Sequence, residues 1–143
     1  MLDAAIHAQS PDIRYEGIHC DIGIHCFHHY NVVLLRIRGT DVGEFGDGPM
    51  QALGKVLAGS ARVHLFIDAR DVKGASIGVS GEWAKWLSAH RDSFTGITML
   101  TGSRFIQITA EFVRRFASLE GHMRICTEPA VFDHTLAQAL RFS

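Results

Sequence analysis

The centre of the chain reads LFIDARDV at residues 65–72 and continues as KGASIGVSG at residues 73–81. The first stretch lies in an apolar run from residue 62 that predicts a strand too apolar for the surface edge of a sheet. The second stretch is rich in glycine and serine and predicts a loop, with a helix opening at Ser80, a good N-cap residue. A buried strand, a loop and a helix in this order form a βα unit, and open α/β sheets place their sites at such strand ends.

Hydrophobic spacing predicts further elements on both sides of this unit. Upstream, two strands between residues 18 and 38 indicate an antiparallel hairpin that turns at residues 28–31. A helix follows, with Pro49 at its first position and Gly59 as its stop. The predicted elements downstream are a strand at 97–100, a long helix at 104–119, a strand at 122–126 and a last helix from about residue 129.

The predicted order, β-β-α-β-α-β-α-β-α, indicates an α/β fold. Because right-handed crossovers place the helices over the sheet, we expect a mixed, mostly parallel sheet of about five strands, with an N-terminal β-hairpin and about four helices. Residues 1–17 are polar and contain Pro11, so they are predicted to form an N-terminal arm. Residues 18–143 then form a single domain.

Composition restricts the class of protein. The 143 residues are 47% apolar and 20% charged, which suits one globular domain and excludes an intrinsically disordered chain. The net charge of −1 offers no general attraction to nucleic acid or to an anionic membrane. No apolar run approaches the roughly 20 residues of a membrane span, and no secretory signal is evident. We therefore expect a cytoplasmic protein whose three cysteines are reduced.

Histidine is unusually abundant, with nine residues, of which five lie between His19 and His29. His19, Asp21 and His25 fall on one face of the first hairpin strand, opposite its apolar face. Side chains on one strand face spread along a line, about 6.6 Å per two residues, and do not converge as metal ligands must. We therefore expect no metal site, but a histidine-rich polar face or dimer edge. A metal-dependent enzyme that uses this strand is the less favoured alternative.

Two loops that each follow a strand carry the candidate ligand or partner site. In the second loop, backbone N–H groups, hydroxyls and a guanidinium could hold an anion at the start of the long helix. The alternative is that the serines and glycines only cap helices. Neither loop matches the Walker or the dinucleotide-binding pattern. The candidate residues are Gly74, Ala75, Ser76, Gly78 and Gly81 in the first loop, and Thr101, Gly102, Ser103 and Arg104 in the second.

No combination of residues indicates a catalytic site. A G-x-S-x-G nucleophile elbow is absent, because residues 78–81 fall one residue short of it. Asp68, Arg70, Asp71 and Lys73 cluster around the end of the third strand, where they indicate a solvated turn. We therefore expect a protein that is not an enzyme and that holds no cofactor.

Aromatic residues are concentrated in the two helices that follow these loops. Trp83 and Trp86 are three positions apart, so they share a helix face, and packing on the sheet is favoured over stacking on a ligand. The long helix also carries large apolar residues on one face. These residues are Phe105, Ile108, Phe112, Phe116 and Leu119.

The element order, with LFIDARDV leading into a Gly/Ser loop and a helix, resembles STAS domains. More narrowly, it resembles their SpoIIAA-like branch, relatives of bacterial anti-sigma-factor antagonists. In that group a strand of the pattern h-h-h-D-h-x-x-h, in which h is apolar, precedes the loop and helix, and a β-hairpin opens the domain. The segments ITMLTG at 97–102 and MRICT at 123–127 also suit later strands of that fold. The resemblance covers residues 31–142.

The resemblance implies a non-enzymatic regulatory or binding module that acts through protein–protein recognition. Antagonists of this family carry a phosphorylatable serine in an Asp-Ser-Ser/Ala-Gly motif at the start of the helix after this strand. Here Ser80, followed by Gly81, is the closer match, and Ser76 is the other candidate; neither follows an aspartate. The implied partner is an anti-sigma-type kinase or a sensor.

The SpoIIAA-like branch also implies a second function, the binding of a lipid-like or other apolar small molecule between sheet and helices. The abundance of phenylalanine and tryptophan suits this function, and a plain core explains it equally well. The first hairpin leaves a sheet edge that a second subunit can cover, so the sequence is also compatible with a homodimer.

Overall fold

The computed structural model describes residues 10–59 and 61–141, which form six strands and four α-helices. The strands are β1 (Ile13–Glu16), β2 (Cys20–Phe27), β3 (Val32–Asp41), β4 (Val63–Ala75), β5 (Phe94–Thr101) and β6 (Met123–Cys126). The helices are α1 (Gly48–Ala58), α2 (Ile77–Ala89), α3 (Arg104–Phe116) and α4 (Pro129–Arg141). A short 3-10 turn at His28–Tyr30 closes the predicted hairpin, and Asn31 ends this turn in the left-handed region at φ 55°.

The six strands form one sheet whose spatial order follows the chain, from β1 to β6. β1, β2 and β3 pair in antiparallel fashion, whereas β3, β4, β5 and β6 run parallel. The predicted α/β fold, with a mixed, mostly parallel sheet and an N-terminal hairpin, is confirmed. Because parallel strands point the same way, the loops after β3, β4 and β5 all leave the same end of the sheet.

The sheet has one strand more than predicted, because residues 13–16 pair with β2. These residues were expected in the N-terminal arm, and that part of the prediction is wrong. Ile13 and Tyr15 alternate along β1 and pack against the hydrophobic core, and the Tyr15 hydroxyl donates to the carbonyl oxygen of Gly48 at 3.0 Å. Two apolar residues in a polar segment give too weak a pattern to predict a strand. The first nine residues of the predicted arm lie outside the described residues.

Helices cover both faces of the sheet, so the domain has three layers. On one face, α1, α2 and α3 enclose the larger core cluster through residues such as Leu53, Leu87 and Val113. On the other face, α4 alone encloses a smaller cluster through Phe132 and Leu136. Trp83 and Trp86 are half-buried against the larger cluster with their rings edge to face, as the prediction of packing on the sheet requires.

Helix α2 begins at Ile77, three residues before the predicted start at Ser80. β4 runs on through residues 74–75, which were expected in a loop, and Ser76 follows it directly as the N-cap of the helix. The Ser76 hydroxyl oxygen accepts a hydrogen bond from the Val79 N–H at 3.2 Å. Two glycines in the first turns disfavour a helix by propensity alone, and the cap together with tertiary packing outweighs them.

Helix α3 turns its large apolar residues to solvent. Its buried positions are Ile106, Ala110 and Val113, two of them small enough to let the helix lie close to the sheet. The predicted apolar residues of the helix therefore do share one side of it, but this side faces solvent and not the core. Only Leu119 of that set is fully buried, and it lies beyond the helix end. The four exposed residues, which we call the α3 stripe, are Phe105 (63% exposed), Ile108 (55%), Phe112 (54%) and Phe116 (61%).

Candidate functional site

The first candidate loop contains one accessible serine, Ser76. Its backbone is extended, at φ −69° and ψ 157°, and its N–H donates to the carbonyl oxygen of Asp41 at 3.0 Å. This bond joins the end of β4 to the end of β3, so the cap has a fixed position. The side chain is exposed at the N-terminus of α2, where the helix dipole favours negative charge.

Ser80, the preferred candidate from the sequence, is buried within the first turns of α2. Its hydroxyl donates to the carbonyl oxygen of Ser76 at 3.1 Å. An enzyme that modifies a hydroxyl must reach it, and the Ser80 hydroxyl faces inward. The structure therefore favours Ser76 over Ser80 as the accessible position.

The next residues of α2 present an open apolar surface. Ile77 is 92% exposed, directly after the cap. No atom lies within 4 Å of the position that a Cβ would take on Gly78 or Gly81, so no neighbouring group covers the helix at these two residues. Ser76 and Gly78 also line an open groove of about 390 Å³, whose other wall is the loop between β3 and α1, around Phe45.

The second candidate loop is held by structural contacts. The Thr101 hydroxyl is buried and donates to the carbonyl oxygen of Cys126 at 3.4 Å. A Cβ on Gly102 would collide with the backbone of Arg70, so only glycine fits there. Ser103 caps α3 by accepting from the Ile106 N–H at 3.2 Å, and the following Arg104 is exposed. In these contacts Thr101, Gly102 and Ser103 act as packing and capping residues.

The two loops lie at the same end of the sheet because β4 and β5 are adjacent parallel strands. The helices that follow them, α2 and α3, pack against each other. Ile77 and Phe105, the first or second residues of these helices, therefore stand at the same end of the molecule. The sequence predicted that each loop follows a strand, and the pairing of β4 with β5 shows that the two loops are neighbours.

A cavity of about 90 Å³ lies between the sheet and helices α2 and α3. Its walls are almost wholly apolar, formed by residues such as Ile67, Met99, Ile106 and Trp83. The buried carboxylate of Asp41 is at its margin, where its Oδ1 accepts from the Gly43 N–H at 3.1 Å. This is the place between sheet and helices where the sequence resemblance implied an apolar ligand.

Asp68, the aspartate of the LFIDARDV stretch, lies in an ionic network and not in a solvated turn as predicted. It is only 2% exposed, with its carboxylate 3.0 Å from Arg70 Nε and 3.6 Å from Arg36 Nε. Arg70 also donates to Asp133 of α4 at 2.6 Å. Burial lowers the pKa of Arg70, but its hydrogen bonds to Asp133 and Asp68 more than offset this and raise it. The network fixes α4 to the central strand, and both of its carboxylates, Asp68 and Asp133, are paired with arginine.

The histidine-rich strand does not assemble a metal site. His19 is exposed, whereas His25, on the opposite face from the main core, is buried, with no hydrogen-bond partner on its Nδ1. Burial and the nearby charge of Arg36 lower the pKa of His25. Within residues 10–59 and 61–141, no three His, Cys, Asp or Glu side chains stand close enough to hold a metal ion. Burial raises the pKa of Cys20 to about 12, which removes its thiolate at neutral pH.

Comparison with solved structures finds chains of the same architecture. A protein from the DUF3478 family with a SpoIIAA-like fold, from Shewanella loihica, aligns with a TM-score of 0.60 at 15% identity, over 90% of this chain and 99% of that chain. An anti-sigma factor antagonist from Mycobacterium paratuberculosis aligns with a TM-score of 0.53 at 16% identity, over 82% and 94% of the two chains. The anti-sigma factor antagonist SpoIIAA in its unphosphorylated form gives 0.51 at 15% identity, over 81% and 96%. The fold is SpoIIAA-like.

This SpoIIAA-like fold confirms the resemblance that the central stretch of sequence indicated. At 15–16% identity the likeness concerns the fold alone. No family model matches the sequence, and no curated protein matches it either. None of the helices in the described part of the SpoIIAA-like domain is long and apolar enough to cross a membrane.

Proposed function

We propose that the protein is a cytoplasmic, non-enzymatic regulatory module that recognises a protein partner through the end of the sheet where α2 and α3 begin. The observation that carries this proposal is Ile77, a large apolar side chain 92% exposed beside the Ser76 cap. Together with Phe105, which is 63% exposed at the start of α3, Ile77 gives this end of the molecule the kind of apolar surface that marks interaction sites. Two solved structures of similar fold are anti-sigma factor antagonists, which supports an anti-sigma-type kinase or a sensor as the partner class.

Ser76 is the switch residue in this proposal. A phosphate on its hydroxyl would add about −1.5 to −2 charges at a helix N-terminus, where the dipole stabilises negative charge. The same charge would stand next to Ile77 and oppose the docking of an apolar partner surface there. Phosphorylation would therefore change partner affinity without unfolding the helix.

Tagged protein isolated from its native cells tests partner recognition. Quantitative mass spectrometry compares proteins retained by the wild type, by Ile77→Glu and by Val131→Glu, an exposed apolar position on α4 that serves as the matched control. We expect one protein to be retained by the wild type and by Val131→Glu and to be lost with Ile77→Glu. Equal retention by all three, or no protein retained above a tag-only control, would contradict the proposal.

A second candidate function is the binding of an apolar small molecule in the cavity between the sheet and helices α2 and α3. The cavity volume of about 90 Å³ and the apolar walls favour it, because an apolar cavity can stay dry and accept an apolar guest. Native mass spectrometry of protein isolated from cells should then show an added mass that denaturation removes. A mass equal to that of the bare chain would contradict this second function.

A further inference from the structure

We infer that the α3 stripe binds an acidic amphipathic helix of the partner protein. This inference rests on the proposed function, because it names the chemistry of the partner that the protein recognises. It is carried by the exposure of the stripe and by the basic residues that border it.

The stripe has the geometry of a helix-binding surface. Its members follow each other at intervals of three, four and four residues, so they lie along one side of α3 over about three turns. The buried side of the same helix, around Ala110, is a separate face. Phe112 and Phe116 stack with their ring centroids 5.6 Å apart, so the two rings form one aromatic surface. Partner helices bind such surfaces through apolar residues at matching helical spacing.

The charges bordering the stripe are mostly positive. Helix α3 contains three arginines and one glutamate, a net charge of +2 in a chain whose total is −1. Arg104 and Arg115 are exposed at opposite ends of the stripe, and no described carboxylate pairs with either. Glu111, by contrast, is half-buried and accepts from the Gln107 side chain at 3.3 Å.

A further arginine extends the basic border. Arg91 is exposed, and its Nη1 donates to the carbonyl oxygen of Ser118 at 3.2 Å, two residues beyond the last phenylalanine of the stripe. Arg104 thus lies at one end of the apolar surface, and Arg91 and Arg115 lie at the other end, where the chain also carries the exposed Asp92 and Glu120. A complementary partner presents apolar residues in the middle of its helix and carboxylates towards its two ends.

Charge also argues against a second copy of this chain as the occupant. Two antiparallel stripes centred near residue 110 would place Arg104 of one copy beside the last turn of α3 in the other copy, which contains Arg114 and Arg115. Like charges brought together at an interface oppose association.

The test uses the full chain and a synthetic probe. The probe is a fluorescent 16-residue helical peptide with leucines at i, i+3, i+7 and i+10 and glutamates at both ends, compared with a twin in which lysine replaces glutamate. We expect the acidic peptide to bind at least tenfold more tightly than its twin in fluorescence anisotropy. Phe112→Ser should weaken binding at least tenfold, Arg115→Glu at least threefold, and the control Val131→Ser not at all. Equal binding of the two peptides, or no effect of Phe112→Ser, would overturn the inference.

Two further measurements separate the other occupants. Binding to phosphatidylglycerol vesicles that is lost with Phe112→Ser, while the acidic peptide does not bind, would overturn the inference in favour of a membrane. A dimer in sedimentation velocity that Phe112→Ser dissociates would overturn it in favour of a second copy. Retention of the native partner by Phe112→Ser but not by Ile77→Glu would overturn this inference alone. Absence of any partner on the wild type would instead remove the proposed function.

Discussion

The hydroxyl of Ser80 donates a hydrogen bond to the carbonyl oxygen of Ser76 at 3.1 Å. The two serines are one helical turn apart, yet the first is exposed as the cap of α2 and the second is buried in the helix packing. Their positions in the sequence make both plausible switch residues. Their accessibility separates them.

The first prediction concerns which serine carries phosphate. After incubation with the cognate kinase, or isolation from native cells, we expect phosphate on Ser76 and none on Ser80, because only the Ser76 side chain is accessible. Cleavage after lysine leaves both serines in the single peptide 74–85, so fragment-ion spectra are needed to locate the group. Phosphate on Ser80, or on neither residue, would exclude Ser76 as the switch.

The second prediction concerns the cap itself. Ser76→Ala should lower the free energy of unfolding by about 1 kcal/mol, because it removes the acceptor of the Val79 N–H. Ser76→Asp should retain most of the stability, since aspartate is an equally good N-cap and its charge suits the helix N-terminus. Urea unfolding measures both. The control Ser88→Ala, an exposed position inside α2, should stay within about 0.5 kcal/mol of the wild type; a loss as large as that of Ser76→Ala would show that the cap is not the cause.

The third prediction concerns the buried aspartate. Asp68→Ala should destabilise the protein by about 3–5 kcal/mol, because it removes the buried carboxylate that Arg36 and Arg70 share. Thermal or chemical unfolding gives the difference. Asp71→Ala, three residues along and exposed, is the matched control and should change stability by no more than about 0.5 kcal/mol. If both variants lose no more than about 0.5 kcal/mol of stability, the network does not hold α4 to the sheet.

The fourth prediction concerns pH. Burial and the charge of Arg36 lower the pKa of His25, and the charge of Asp12 offsets only part of this decrease. His25 therefore binds a proton at a higher pH in the unfolded chain than in the folded protein. The contribution of neutral His25 to the free energy of unfolding is therefore complete above about pH 6.5 and is lost as the pH falls below that value. We expect the free energy of unfolding to decrease as the pH is lowered below about 6.5.

His25→Phe should reduce the slope of that decrease, and His28→Gln, at an exposed position, should leave it unchanged. Some slope should persist in His25→Phe, because burial also lowers the pKa of His64. An identical slope in wild type and His25→Phe would show that His25 does not titrate differently on folding.

Hydrophobic spacing was sufficient to predict the α/β architecture, because the strands are apolar and the helices carry periodic apolar residues. It was not sufficient to predict which side of α3 is buried. Ile106, Ala110 and Val113 form one apolar face and the stripe forms another, and size favours the stripe. Only the close approach of the helix to the sheet, which small residues such as Ala110 permit, selects the buried face.

The start of α2 shows a second limit of local pattern. Ser76 and Ser80 are equally good caps by residue type, and the predicted cap at Ser80 was the wrong one. The deciding contact is the bond from the Ser76 N–H to the Asp41 carbonyl, which joins residues 35 positions apart. His25 was missed for a similar reason, since its alternation correctly predicted the face but not that this part of the face is buried.

The most direct test of partner recognition at the start of α2 is a photocrosslinking measurement in native cells. p-Benzoylphenylalanine replaces Ile77 in one sample and Val131 in another, two exposed apolar positions on different helices and opposite faces of the sheet. The proposal predicts one protein crosslinked from position 77, absent from position 131, and reduced when Ser76→Asp is added. The same crosslinks from both positions, or none to protein from position 77, would contradict it.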